Sequence, residues 1–198
     1  MDYAKRIKKL QAVLRRQQVD AILITQPDNR RYLCGYTGSD HGIGETSGVL
    51  LVPVRGGIYL LTDFRYRLQA EQDVPWATVL LYPRGLLRLL PRLLPDLGIR
   101  KLAFESHYTL HSTATMLAEG LAKKLLYQCL SREDLIEAAI REGIQVGKIE
   151  TALMKPGLFT ERLALEREHY IAFTTAYLCD KVKDGPLVYH GRTGHLLL

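Results

Sequence analysis

"RIKKLQAVLRRQQVDAILITQPDNRRYLCGYTGSD", residues 6–40, is the stretch whose reading decides the fold. Together with Tyr3 just before it, Ile7, Leu10 and Leu14 fall at helical spacing, so the chain begins with an amphipathic helix whose lysines and arginines face outward. "DAILIT" (20–25) is a short β-rich run that reads as a buried strand. In "QPDNRRYLCGY" (26–36), Pro27 and Asp28 can open a brief helix. The order helix, strand, helix is the start of an α/β layer.

The alternation continues outward from there. A glycine-rich loop, "GYTGSDHGIGETSG" (35–48), leads into "VLLVP" (49–53), and the glycines of "VRGG" (54–57) join that run to "IYLLT" (58–62), a hairpin inside a mixed sheet. "LTDFRYRLQAEQ" (61–72) crowds an acid, two arginines and a tyrosine behind an apolar strand, so it is either a catalytic cluster or the cap of a helix. Thr62 or Asp63 can accept orphan amide hydrogen bonds there. Phe64, Leu68 and Glu71 lie on related turns, which leaves Arg65 and Arg67 on different faces and favours the cap. "ATVLLYP" (77–83) and "KLAFES" (101–106) read as strands. "RGLLRLLPRLLPDLG" (84–98) reads as a leucine-rich core helix with Pro91 inside it, and "TLHSTATMLAEGLAKK" (109–124) as a further helix.

After about residue 130 the texture changes. "SREDLIEAAIREGIQVGKIETALM" (131–154) reads as one long helix, with Ser131 as cap and Asp134 at the third helical position in the manner of a capping box. "KPG" (155–157) ends it, and a further helix starts from Thr160. The reading places a domain boundary near residue 128, giving domains 1–128 and 129–198.

Composition narrows the function classes. Hydrophobic residues are 47% and charged residues 24% of 198, which excludes a disordered or collagen-like chain. The net charge of +6 comes from basic residues dispersed among acids, without zinc-finger spacing or a ribonucleoprotein motif, so no nucleic-acid partner is expected. Cys34, Cys129 and Cys179 form no C-x-x-C pair and read as idle or buried thiols of a cytoplasmic protein. No apolar run approaches the roughly 18 residues of a membrane span, and no membrane is expected.

No motif supplies a catalytic centre. His107 and His111 are four apart but lack a third ligand at a telling spacing, and H-E-x-x-H, G-x-S-x-G and P-loop patterns are missing. Ser39, Asp40 and His41 are adjacent, and neighbours in sequence do not readily take nucleophile, base and orienter positions around one substrate.

The ordered segments "D-A-I-L-I-T", "P-D-N-R-R-Y-L-x-G-Y-T-G-S", "T-D-F-R-Y-x-x-Q-A" and "KLAFES" resemble the N-terminal domain of Xaa-Pro aminopeptidases and prolidases, the creatinase-type domain. "EDLIEAAIREGIQVGKIETALMKPGLFTERLALEREHYI" (133–171) resembles the first helices of that family's pita-bread catalytic domain, with Phe159 as an insertion and the basic linker missing at "LLYQCLSRED" (125–134). "DGPLVYHGRTGHLLL" (184–198) is similar to the family segment ahead of the metal centre, though about two residues short. On that alignment His190 is the substrate-proximal histidine, and a competing alignment makes His195 a metal ligand.

The resemblance implies an α/β domain with a mixed sheet flanked by helices. It also implies a full-length enzyme that removes an N-terminal residue before proline using two divalent metals, commonly manganese. Two aspartates, a histidine and two glutamates would hold them, and the S-D-x-T-R and E-P-G segments carrying such ligands do not occur here, so no metal is expected in this chain. Its own share would be homodimerisation and active-site gating, through a loop from Tyr36 to Ser47 whose Ser39, Asp40 and His41 contact a neighbouring active site. Proline-containing peptides would be the substrates of the full-length enzyme. The alternative is a free-standing, non-catalytic binding or dimerisation module, and the reading frame downstream of Leu198 separates the two.

Overall fold

The Asp2 carboxylate accepts a hydrogen bond from the Lys5 amide at 2.9 Å and so opens α1, Tyr3–Arg16, in the computed structural model, which describes residues 2–42, 45–144 and 161–191. Ile7 and Leu14 are the buried residues of α1, as the spacing predicts. After β1, Ala21–Ile24, the Gln26 side chain accepts from the Asn29 amide at 2.5 Å and Pro27 takes the first turn of α2, Pro27–Cys34. Gly35, at φ 87°, ends α2 in the left-handed region. A Cβ there would also come within 2.8 Å of the Tyr3 ring. Gly35→Ala is therefore expected to cost about 1–2 kcal/mol from the backbone alone, read as a lowered urea midpoint; an unchanged midpoint would contradict this account of the turn.

A five-stranded mixed sheet follows, in the order β4-β3-β2-β1-β5, with β2 Val49–Pro53, β3 Tyr59–Thr62, β4 Thr78–Leu81 and β5 Leu102–Phe104. β2 is antiparallel to β1 and to β3, while β1–β5 and β3–β4 are parallel. The β2–β3 hairpin is the one the turn glycines predict. Pairing places Ile24, Leu50, Leu60 and Val79 in one row across four strands. Leu50 and Leu60 are fully buried in a core shared with Ile7, Cys34, Tyr36, Ala70 and Val74, and Val79 packs against it. Val49, Leu51 and Leu61 alternate with that row and are equally buried, so the sheet is covered on both faces; this is why "VLLVP" is a continuous apolar run. Acidic side chains stitch both ends of the β1–β5 pair: Asp20 accepts from the Arg100 and Lys101 amides, and Glu105 from the Thr25 and Gln26 amides.

Of the two candidate caps, Asp63 is the one used, accepting the Arg65 amide at 2.8 Å ahead of a 3₁₀ turn, Phe64–Tyr66. Helix α3, Arg67–Asp73, starts only after that turn and buries Ala70. The leucine-rich α4, Leu86–Asp96, contains Pro91 as read and Pro95 as well, and it buries Leu90 and Leu94. α5 is His111–Leu125.

The chain divides into two compact units, Met1–Leu117 and Ala118–Leu198. In the second, β6 Gln128–Ser131 pairs in parallel with β7 Leu187–His190, two strands the sequence reading does not identify. Ser131 and Asp134 form the expected capping box on α6, Arg132–Arg141. The long helix expected over 131–154 ends at Arg141. There Gly143 turns left-handed at φ 79°, and its amide and that of Ile144 bond back to Ile140 and Ala139. The remainder of that span, "KPG", Phe159 and Thr160 lie outside the described residues. Helix α7, Glu161–Lys183, packs on α6 around Ala139, Tyr170 and Phe173.

Candidate functional site

Helix α2 carries Arg30 on its buried face, one turn before Cys34, and both side chains are fully buried. The guanidinium lies 5.1 Å from the Tyr36 ring and reaches both limbs of the loop that follows the helix. Nη2 donates to Gly38 O at 2.9 Å, Asp40 Oδ1 at 2.9 Å and Ser47 Oγ at 3.0 Å. Nη1 donates to Thr46 Oγ1 at 3.2 Å and to the Gly48 carbonyl. Asp40 in turn accepts from the Ser47 amide and hydroxyl, each at 2.8 Å, and the Tyr36 hydroxyl donates to Ser47 O at 3.1 Å. Thr62, at the end of β3, donates to the same carbonyl at 2.5 Å.

Two outer contacts brace the loop from the stretch 63–73. Thr37 donates through its amide and hydroxyl to Asp73, and Gln69 donates to the Thr37 hydroxyl. Arg65 bridges Asp63 and the loop residue Glu45 at 2.7 and 3.2 Å. Arg67 pairs instead with Glu71, so the two arginines serve different partners and share no site.

One donor of this network, the buried Arg30 Nε–H, finds no acceptor among the described residues. Burial alone would raise the Asp40 carboxyl, but hydrogen bonds from Arg30 and Ser47 outweigh it and hold the group below the usual carboxylate range. Burial pushes Tyr82 up to about 12 and the Cys34 thiol up to about 11, which leaves Cys34 unreactive. Burial also raises Tyr108, helped by the charge of Asp40.

Of the three loop residues singled out in the sequence, Ser39 and His41 are exposed, whereas the Asp40 side chain is 5% exposed and turned to Arg30. His190 sits half-buried on β7, in register with Ser131. The nearby Asp134 carboxyl is lowered chiefly by the Ser131 hydrogen bonds and also by His190. His107 and His111 are both exposed, and His195 lies outside the described residues. Among the described residues no three of His, Cys, Asp and Glu converge as a ligand set, so these residues do not fit a two-metal centre and no metal-dependent step is assigned to them.

The sequence reading passes over Arg30 and Glu105. A signal for Arg30 is present: it lies four residues before the apolar Cys34, on the core face of a short helix. Glu105 carries no such signal, because its role at the start of α2 requires a pairing across 80 residues.

Residues 6–142 match the family described as the creatinase/prolidase N-terminal domain. An uncharacterized peptidase of Bacillus subtilis (strain 168), YqhT, is 25% identical over 178 residues, covering 84% of this chain and 48% of the relative. The chain thus spans about half the length of that curated relative. The N-terminal domain of the cytoplasmic peptidase PepQ from Mycobacterium tuberculosis H37Rv is 36% identical, with a TM-score of 0.52 over 59% of this chain and 85% of that one. A Xaa-Pro dipeptidase from Bacillus anthracis shares the fold, with a TM-score of 0.53 at 22% identity, over 88% of this chain and 49% of that one.

Proposed function

The chain belongs to the creatinase/prolidase N-terminal domain family, and on that premise we propose that it is the amino-terminal portion of a Xaa-Pro aminopeptidase-like metallopeptidase, with homodimerisation and active-site gating as its own share. The observation that carries this reading is the loop after α2, which offers Ser39 and His41 to the outside from a frame fixed beneath by a buried ion pair. A polar tip on a rigid base suits contact with a neighbouring site. His41, when protonated, can bind a substrate carboxylate there.

In this reading residues 1–128 are the N-terminal domain and 129–198 begin the catalytic domain, with His190 near the substrate. The two divalent metals, commonly manganese, belong to the full-length enzyme, as do proline-containing peptide substrates. A cytoplasmic location fits the free thiols of Cys34, Cys129 and Cys179. No helix among the described residues is long and apolar enough to cross a membrane.

The test is hydrolysis of Xaa-Pro dipeptides and tripeptides by the purified chain with added manganese, alongside metal analysis and sedimentation. The expected result is a dimer with no turnover and no retained metal. Turnover that a chelator abolishes would overturn the division of labour, and a monomer at micromolar concentration would overturn the dimer.

A further inference from the structure

We infer that Arg30 is the positioning residue of this loop, setting the backbone between Gly38 and Gly48 so that Ser39 and His41 face outward; the inference rests on the reading of that loop as partner-facing. The guanidinium is fully buried and bonds to acceptors on both limbs: Gly38 and Asp40 on the way out, Thr46, Ser47 and Gly48 on the way back. No other side chain among the described residues has hydrogen bonds recorded to so many points of the loop. A planar fork with several fixed donors can satisfy this set, whereas the point charge of a lysine cannot.

The consequence for the tip is geometric. With the Asp40 carboxylate drawn inward onto Arg30 and Ser47, its two neighbours are left on the surface, and both are exposed. The arginine is itself held: its own amide bonds to the carbonyl of Gln26, the residue that caps α2, and its guanidinium lies over Tyr36, whose hydroxyl holds Ser47. The outer braces through Asp73 and Arg65 are exposed contacts, and such contacts contribute little alone. Arg30 therefore sets the loop's geometry and the braces trim it.

The experiment measures amide exchange at Ser47 and Gly48, and at Leu50 and Leu60 of the adjoining strands, in the full chain carrying Arg30→Lys or Arg30→Met. Exchange at Ser47 and Gly48 is expected to rise roughly tenfold or more beyond any rise at the strand amides in Arg30→Met, and by a smaller margin in Arg30→Lys. Uniform acceleration, or none, overturns the assignment. If Arg30→Met does not fold, Arg30→Lys, which keeps the charge and loses the planar fork, decides the same question.

A second readout is self-association by sedimentation in Arg30→Met, His41→Ala and the double variant. Positioning predicts that the double variant loses no more than the larger single loss, because Arg30 acts through the tip. If His41→Ala leaves association unchanged while loop exchange rises in Arg30→Met, the partner-facing reading fails and the role of Arg30 stands. Additive losses overturn positioning of His41.

Discussion

Replacing Asp40 by alanine is expected to destabilise the first unit by about 3–5 kcal/mol, the range for breaking a buried pair from one side. Arg30 is fully buried and the Asp40 side chain 5% exposed, so the variant leaves a guanidinium charge with carbonyl and hydroxyl partners and no counter-charge. Trp76, the chain's one tryptophan, lies in this unit, stacks on Tyr3 at 6.0 Å and reports the unfolding by fluorescence. The pair also fixes a pH dependence. The folded carboxyl lies below its unfolded value, about 3.9, so the folded chain binds fewer protons near that pH. Its stabilisation is then complete above the unfolded value and is lost as the pH falls through the folded one. Asp40→Asn should lack that acid limb. Parallel pH profiles for wild type and Asp40→Asn would show that the pair does not control it.

This pair also marks where sequence reasoning stops. The first helix, the buried strand, the Pro27 start and the hairpin follow from local periodicity, caps and turn glycines, and each stands where it was read. The cap at Asp63 is legible for the same reason, since a carboxylate and the amides it satisfies are close in sequence. Strands β6 and β7 are not: β6 exposes Gln128 and Cys129 and shows neither alternation nor an apolar run, and β7, although Leu187, Val188 and Tyr189 are apolar, takes its parallel partner from more than 50 residues away. The end of α6 is missed although Gly143 announces it, because helical spacing continues through a residue whose left-handed turn is a backbone property. At the loop, the residue types are legible and their directions are not. Asp40 reads as one of three outward groups until Arg30, ten residues earlier and on the far side of a helix end, is seen to face it.

Leu60→Ala is expected to lower stability by about 2–5 kcal/mol, with the denaturant slope unchanged. Leu60 is fully buried at the centre of the row formed with Ile24, Leu50 and Val79, so truncation leaves a cavity bounded by paired strands that cannot easily close. Leu68, eight residues on, is 72% exposed beyond the Asp63 cap, and Leu68→Ala should stay within about 0.5 kcal/mol. Equal shifts for the two leucines, followed by Trp76 fluorescence in urea, would contradict this assignment of the core. The core and the loop are also joined. Tyr36 belongs to the same buried cluster as Leu60, and its hydroxyl holds the Ser47 carbonyl, next to the amide that Asp40 binds. A cavity at Leu60 removes packing from beneath that ring, so part of the Asp40 network is already loosened in Leu60→Ala. The double variant Leu60→Ala/Asp40→Ala should therefore lose less than the sum of the single losses, by roughly 0.5–3 kcal/mol of coupling. Strict additivity would mean that the loop is carried by Arg30 alone and takes nothing from the sheet beneath it.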